Sequence, residues 1–165
     1  MSAPTNPYAG FLGDQDPLEV IAKTPERLNE LFNKLGTSGQ EKTYARGKWS
    51  AREILCHLAD CELAFGFRLR QTLAEPNHVI QPFDQELWAR RYARLDGSAA
   101  LSTFVALRSW NVAMMKALSP DDFNTPATHP ERGRMTFRTI VETMGGHDLN
   151  HLGQLENIAS NGIPK

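Results

Sequence analysis

Apolar residues along most of the chain recur at intervals of three and four, the period of an amphipathic α-helix. This period predicts four long helices, at about residues 25–35, 51–73, 98–118 and 137–161, and a short helical segment at 16–22 before them. No stretch combines strict alternation with the tight-turn residues of a β-hairpin. The pattern therefore predicts an all-α fold.

Capping residues mark where the predicted helices begin and end. Thr24 precedes a proline and an acid, which favours it as the N-cap of the first long helix. Gly36 is expected to end that helix. Ser50 and Glu53 stand three residues apart before an apolar stripe, which is the signature of a capping box at the start of the second long helix.

The segments outside the long helices differ in character. Residues 1–15, rich in Pro, Gly, Asn and Ala, are expected to form an extended arm. The connection 77–96 carries several large apolar side chains, so we expect it to pack over one end of the bundle with a short helix near 84–94. Residues 123–134 are expected to form a loop. Because long amphipathic helices bury their apolar faces against one another, residues 16–163 are predicted to form a single four-helix bundle.

Composition narrows the classes of function. The 165 residues suffice for one domain, with 41% hydrophobic and 22% charged residues. The formal net charge of −1 provides no basic field for nucleic acid, and the basic cluster at 90–94 is short. No apolar run reaches the roughly 18 residues that span a bilayer, and the first residues lack the pattern of a signal peptide. A cytoplasmic protein that binds neither membrane nor nucleic acid is expected.

The two cysteines, Cys56 and Cys61, fall on the second predicted helix. An offset of five residues turns them about 140° apart around the helix axis, so they do not easily pair with each other. We expect two reduced thiols in the core.

The main chemical signal is the pair His147 and His151 in the fourth predicted helix. Side chains four residues apart lie one above the other, with Cβ atoms roughly 6 Å apart, so both imidazoles can reach one metal ion. A third ligand is needed, and His57 in its apolar neighbourhood is the best candidate. The alternative is a chance pair and a hydrogen-bonded core histidine. Gly145 and Gly146 favour a site that needs close approach, since each costs up to about 1 kcal/mol within a helix, unless they serve only helix packing.

Three neutral nitrogen ligands would leave a coordination position open, as in reactive metal sites. Asp60 could orient an imidazole, although a solvated surface acid is the more ordinary interpretation. Cys61 could be a fourth, soft ligand. Gln154 lies on the face of the histidine pair and could line the pocket or pair with backbone.

Asp148 suggests a rival interpretation. The order His-Asp-x-x-His is similar to the His-Glu-x-x-His helix of zinc proteases, in which the acid is the general base. No third ligand with the appropriate downstream spacing follows, so a protease is not favoured. His78 and His129 fall in predicted loops, where they are expected to be structural or exposed.

Three segments resemble the DinB-like superfamily. They are Lys48–Asp60, which contains His57, the late segment His147–Leu155, and the middle segment Gln81–Trp88, which is similar to the branch of bacillithiol-transferase-like proteins. The resemblance covers roughly residues 17–163. It implies an up-down-down-up four-helix bundle, often dimeric, whose metal triad falls on His57, His147 and His151. It also implies a divalent ion, usually zinc or nickel.

Members of this family with known activity resemble thiol S-transferases, or metal-dependent hydrolases and isomerases that use a low-molecular-weight thiol. The preferred hypothesis is therefore a metal-dependent enzyme that activates a thiol or water to attack a small electrophilic molecule. Asp60, Asp84 and Gln154 are the candidates to orient ligands or substrate. The alternative is a non-catalytic, stress-associated metal-binding bundle that acts through its homodimer surface. Trp88 and Trp110 could contribute to that surface, although a position in the core is the more ordinary interpretation for both.

Overall fold

Four long helices dominate the structure, a computed structural model that describes residues 5–165. Two short helices accompany them, α1 in the N-terminal arm and α4 in the connection between α3 and α5. The helices are α1 (Ala9–Leu12), α2 (Pro17–Gly39), α3 (Ala51–Ala74), α4 (Gln85–Ala89), α5 (Gly97–Lys116) and α6 (Phe137–Asn161). Within the described residues, every helix is too short or too polar to cross a lipid bilayer.

Contacts between helix ends fix the helix directions. Gly97 at the start of α5 lies against Gln40, just after α2, and against Arg52 near the start of α3. Helix α5 is therefore antiparallel to α2 and parallel to α3. Near the end of the chain, Lys165 pairs with Glu53 at the start of α3, so α6 is antiparallel to α3. The predicted up-down-down-up four-helix bundle is confirmed.

Helix α2 differs from its predicted beginning. Asp16 caps it by accepting a hydrogen bond from the Leu18 amide at 2.8 Å, and the helix continues through Pro25. The prediction that Thr24 is an N-cap is therefore wrong. Pro25 has no N–H for the carbonyl of Ile21, and a buried side chain takes its place: Arg108 Nη1 donates to Ile21 O at 2.9 Å. A tertiary hydrogen bond thus stabilises a helix that the local sequence would interrupt.

Other predicted boundaries are close to those observed. Gly36, with a φ of +58°, breaks the regular course of α2 but does not end it, because one further helical turn follows to Gly39. Ser50 accepts a hydrogen bond from the Glu53 amide, and Glu53 accepts one from the Ser50 amide, which completes the capping box of α3. The proline after Glu75 follows directly on the end of α3.

Two segments outside the bundle depart from expectation. The arm is not extended throughout, because Ala9–Leu12 form a turn of helix that packs on α6. The expected loop 123–134 contains an antiparallel hairpin of β2 (Pro126–His129) and β3 (Gly133–Thr136). Its strands are too short for an alternation of apolar and polar residues to be recognised in the sequence. Its three-residue loop is followed by Gly133, with a φ of +78°, and does not contain the Asn-Gly pair of the tightest hairpins. A smaller pair joins β1 (Lys42–Thr43) to β4 (Ile163–Pro164).

A layer of buried polar side chains divides the apolar core into two halves. On α2, α5 and α6 these residues come between the apolar residues of one half and those of the other. The polar layer consists of Thr24, His57, Glu62, Arg108, Asn111, His147, Asp148 and His151. It contains all three histidines of the predicted triad, on the faces of α3 and α6 that meet each other.

Within the polar layer, Arg108 joins two buried acids. Its guanidinium donates to Glu62 at 2.7 Å and to Asp148 at 2.5 Å. Asn111 donates to the second oxygen of Glu62, also at 2.7 Å. Burial alone would lower the pKa of Arg108, but the two carboxylates outweigh it and hold the pKa above its ordinary value. This network ties α3, α5 and α6 together behind the histidines.

Candidate metal centre

Three imidazoles converge between α3 and α6. His147 and His151 lie one turn apart on α6, and His57 faces them from α3, with its Nε2 3.0 Å from that of His147. One nitrogen from each ring can be chosen so that all three lie within 4.8 Å of one another, and each residue is at most 5% exposed. Two nitrogens bound tetrahedrally to one ion at 2.0–2.1 Å would lie roughly 3.3 Å apart. The three rings thus lie close enough together for one metal ion to be held between them.

Burial makes the three imidazoles poor bases. It lowers the pKa of His57 to about 3, with a further contribution from His151. Burial also lowers the pKa of His147 well below its ordinary value, and that of His151 to a lesser extent. All three rings are therefore neutral at pH 7, which is the form that binds metal ions. In the part of the chain that the structure describes, no other set of three or more His, Cys, Asp or Glu side chains is placed to hold a metal ion.

Gln154 contacts the cluster directly. Its Oε1 lies 2.9 Å from His151 Nδ1 and accepts a hydrogen bond when that nitrogen carries the proton. This tautomer leaves Nε2 of His151 with a free lone pair. Gln154 thus contacts a predicted ligand rather than the wall of a cavity, and its role in the site stays a prediction.

Replacing Gln154 by leucine is expected to weaken binding of zinc or nickel by about 10–100-fold, because the His151 ring loses the acceptor that fixes its tautomer. Competition with a chromophoric chelator would measure the affinity. Leucine is similar in size, so the helix should persist, and Gln154→Glu should retain affinity since a carboxylate also accepts the Nδ1 proton. Equal affinity of the leucine variant and the unaltered protein would contradict this role.

The other predicted site acids have different partners. Asp60 is half-buried and accepts a hydrogen bond from Tyr92 Oη at 2.9 Å, so it is neither a free surface acid nor a partner of a histidine. Asp84 is exposed and caps α4, and the structure does not bring it to the three histidines. Asp148 faces away from them, toward Arg108 and Thr24. Nothing in this geometry supports a protease-like base.

Both cysteines are buried and free, as predicted. Burial raises the pKa of Cys56 to about 11 and that of Cys61 still higher, so both thiols are protonated at neutral pH. Cys61 Sγ lies 3.5 Å from His57 Nε2. Its role as a fourth ligand stays a prediction.

A cavity of about 310 Å³ opens beside the histidines. Its wall combines residues of α3 and α6, among them Cys61 and His147, with residues of the arm, the connection after α3 and the β2–β3 hairpin. The polar and aromatic residues lining it include Tyr8, Arg68, Phe83, His129 and Arg132. Helical periodicity did not indicate these residues, because all but Arg68 come from segments without a regular pattern, and Arg68 is a charged residue outside the apolar positions of α3. His129 was expected to be structural or exposed, and it is buried at this cavity. His78, also buried, pairs with Glu75 instead.

The paired glycines of α6 bring the arm close to the metal centre. A Cβ on Gly146 would lie 2.3 Å from the carbonyl oxygen of Tyr8, and one on Gly145 would lie 3.1 Å from the Leu12 side chain. The Tyr8 ring in turn packs edge-on against His147, with ring centroids 5.1 Å apart. The glycines therefore permit the close backbone approach that their sequence position suggested.

Gly146→Ala is expected to displace the arm and to destabilise the protein by about 1–3 kcal/mol, since backbone atoms cannot yield as a side-chain end would. Urea denaturation would measure the free energy of unfolding, and limited proteolysis would report release of residues 5–12. Gly153→Ala on the same helix is the control, because a Cβ there meets nothing within 4 Å. If both variants keep the arm equally protected, the close approach is not needed.

Comparison with known proteins agrees with this architecture. The family model of the DinB superfamily matches residues 21–155, a stretch that includes all three histidines. A protein of Oceanobacillus iheyensis, provisionally named a metal-dependent hydrolase, is 28% identical over 142 residues, which are 86% of this chain and 83% of that protein. YfiT of Bacillus subtilis, named in the same way, is 21% identical over 145 residues, or 86% and 82% of the two chains.

The solved structure of YfiT resembles this one in fold. It aligns with a TM-score of 0.80 at 21% identity, over 86% of this chain and 83% of that chain, and it is described as an unusual four-helix bundle. Because the family model covers most of the sequence, and the predicted fold is confirmed, the chain belongs to the DinB superfamily.

Proposed function

We propose that the protein is a metal-dependent enzyme in which His57, His147 and His151 hold one divalent ion and a small electrophilic molecule binds in the adjoining cavity. The observation that carries this proposal is the convergence of three buried, neutral imidazoles, one of which, His147, forms part of the wall of a cavity of about 310 Å³. Cavities of this size accommodate small molecules. The names of the relatives, which assign them provisionally to the metal-dependent hydrolases, point the same way.

The donor set fits a divalent ion of intermediate softness. Three imidazole nitrogens suit zinc or nickel, and they leave at least one coordination position free. Such an ion lowers the pKa of a bound water or thiol and so supplies a nucleophile near neutral pH. Hydrolysis and transfer from a low-molecular-weight thiol are both compatible with this chemistry.

The residues around the ligands have distinct tasks in this proposal. Gln154 would hold the proton of His151 on Nδ1 and so leave the lone pair of Nε2 free to bind the ion. Tyr8 and Phe65 pack edge-on against the His147 ring and fix its plane. Asp60 acts at most indirectly, through Tyr92, and the exposed position of Asp84 gives no support for a catalytic role. The homodimer, the cytoplasmic location and the lack of nucleic-acid binding remain predictions from the sequence.

A direct test is turnover by protein loaded with zinc or nickel. The assay would follow hydrolysis of small esters and amides, and conjugation of 1-chloro-2,4-dinitrobenzene with several low-molecular-weight thiols. We expect activity in one of these reactions that disappears on chelation and in the His147→Ala variant treated in the same way. Stoichiometric metal without turnover on any substrate would instead favour the non-catalytic bundle that acts through its dimer surface.

A further inference from the structure

Two arginines from different elements line the cavity beside the candidate metal centre. Arg68 comes from the second half of α3, and Arg132 comes from the loop of the β2–β3 hairpin. His129 lines the same cavity, and its pKa is lowered by burial and further by the positive charges of Arg132 and Arg68. Two positive charges thus share one small cavity.

Neither arginine has a carboxylate partner. Among residues 5–165, no carboxylate oxygen lies within 4 Å of Arg68 or Arg132. The buried Arg108 and the half-buried Arg52, by contrast, each pair with an acid. Glu131 also lines the cavity, but it is exposed and pairs with neither guanidinium.

Arg68 is held in place without being neutralised. Its guanidinium carbon lies 6.0 Å from the ring centre of Phe65 and 5.4 Å from that of Phe83, and its Nη2 donates to the carbonyl of Gln81 at 3.1 Å. Burial lowers its pKa, and Arg132 lowers it further, although a guanidinium remains charged at neutral pH. Its other N–H groups have no partner in the described chain. They form a fixed fork of donors.

We propose that Arg68 and Arg132 form an anion subsite, and that the small molecule taken by this cavity carries an oxyanion group, a carboxylate or a phosphate. The planar donor fork of arginine matches both groups. The anion would neutralise two half-buried charges that have no partner, while the rest of the molecule reaches His147 across the cavity. This inference adds a substrate class to the proposed function. It rests on the proposed function only for the statement that the bound molecule reacts.

Calorimetric titration of the chelator-treated protein would test the subsite without any metal. The probes are succinate, inorganic phosphate and the neutral analogue succinamide. We expect succinate or phosphate to bind, and the stronger of the two identifies the oxyanion. Succinamide should bind at least about tenfold more weakly, as expected for the loss of charge-assisted hydrogen bonds. Higher salt should weaken the binding of the anion alone.

Single substitutions of arginine would show where the anion binds. Arg68→Gln and Arg132→Gln should each weaken the anion at least about tenfold, whereas Arg134→Gln, an exposed arginine of the same hairpin that does not line the cavity, should not. Circular dichroism would establish that each variant folds. If one variant does not fold, the salt dependence of anion binding to the unaltered protein still tests the proposal. Equal affinity for succinate, phosphate and succinamide, or no effect of either substitution, would overturn the subsite. Because metal is absent, failure of the metal proposal alone would leave these results unchanged.

Discussion

Replacing Arg108 by alanine is expected to lower the free energy of unfolding by about 3–5 kcal/mol, the largest stability effect that this structure predicts. The substitution leaves Glu62 and Asp148, both 1% exposed, without their positive partner. It also frees the carbonyl of Ile21, which Pro25 cannot satisfy. Chemical denaturation followed by circular dichroism would measure the loss.

A surface arginine provides the matched control. Arg27 pairs with Glu156 where both side chains are nearly half exposed to solvent, so Arg27→Ala should cost no more than about 1 kcal/mol. Replacing the buried network as a whole, by Arg108→Met with Glu62→Gln and Asp148→Asn, should recover part of the lost stability because no buried charge remains. Similar costs for the two single alanine variants would show that the polar layer does not hold the bundle together.

Replacing His147 by alanine is expected to weaken binding of zinc or nickel by more than about 100-fold. Residues that only orient a ligand typically contribute about 10–100-fold, and His147 would be a ligand itself. The ring is neutral and its nearest polar neighbour is Nε2 of His57, so its loss strands no buried charge. The bundle should therefore fold, and chelator competition on the folded variant would give the affinity.

His78→Ala is the control for this substitution. His78 is also a buried histidine, but it pairs with Glu75 and stands outside the convergent group. Its removal should change the metal affinity by no more than about twofold, because His78 does not contact the three histidines. Equal losses in the His147 and His78 variants would mean that metal binding depends on general stability rather than on these ligands.

Local signals in the sequence were reliable where the structure also depends on local contacts. The capping box of Ser50 and Glu53 needs only neighbouring residues and was predicted correctly, and Gly36 was correctly expected to interrupt the helix, although α2 resumes for one turn beyond it. Thr24 was misassigned because the partner that compensates for Pro25 is Arg108, 87 residues away from Ile21 along the chain. No local pattern contains that information.

In the candidate site, too, the sequence predicted those features that depend on neighbouring residues and missed those that depend on distant ones. The spacing of His147 and His151 predicts a shared helix face, whereas His57 was only a candidate from its apolar neighbourhood until the resemblance to a family supported it. Tyr8 and Arg132 escaped prediction, since an irregular arm and a short hairpin bring them to the cavity. The paired glycines were the one local sign that another backbone must approach α6, and they did not identify it as the arm.

Binding of one divalent ion to the three histidines can be tested most directly by anomalous diffraction at the absorption edge of zinc or nickel, from crystals of protein loaded with that metal. We expect one anomalous peak per chain, within about 2.0–2.2 Å of a nitrogen of each of His57, His147 and His151. A fully loaded protein whose peak lies elsewhere, or a loaded crystal with no peak between these rings, would contradict it.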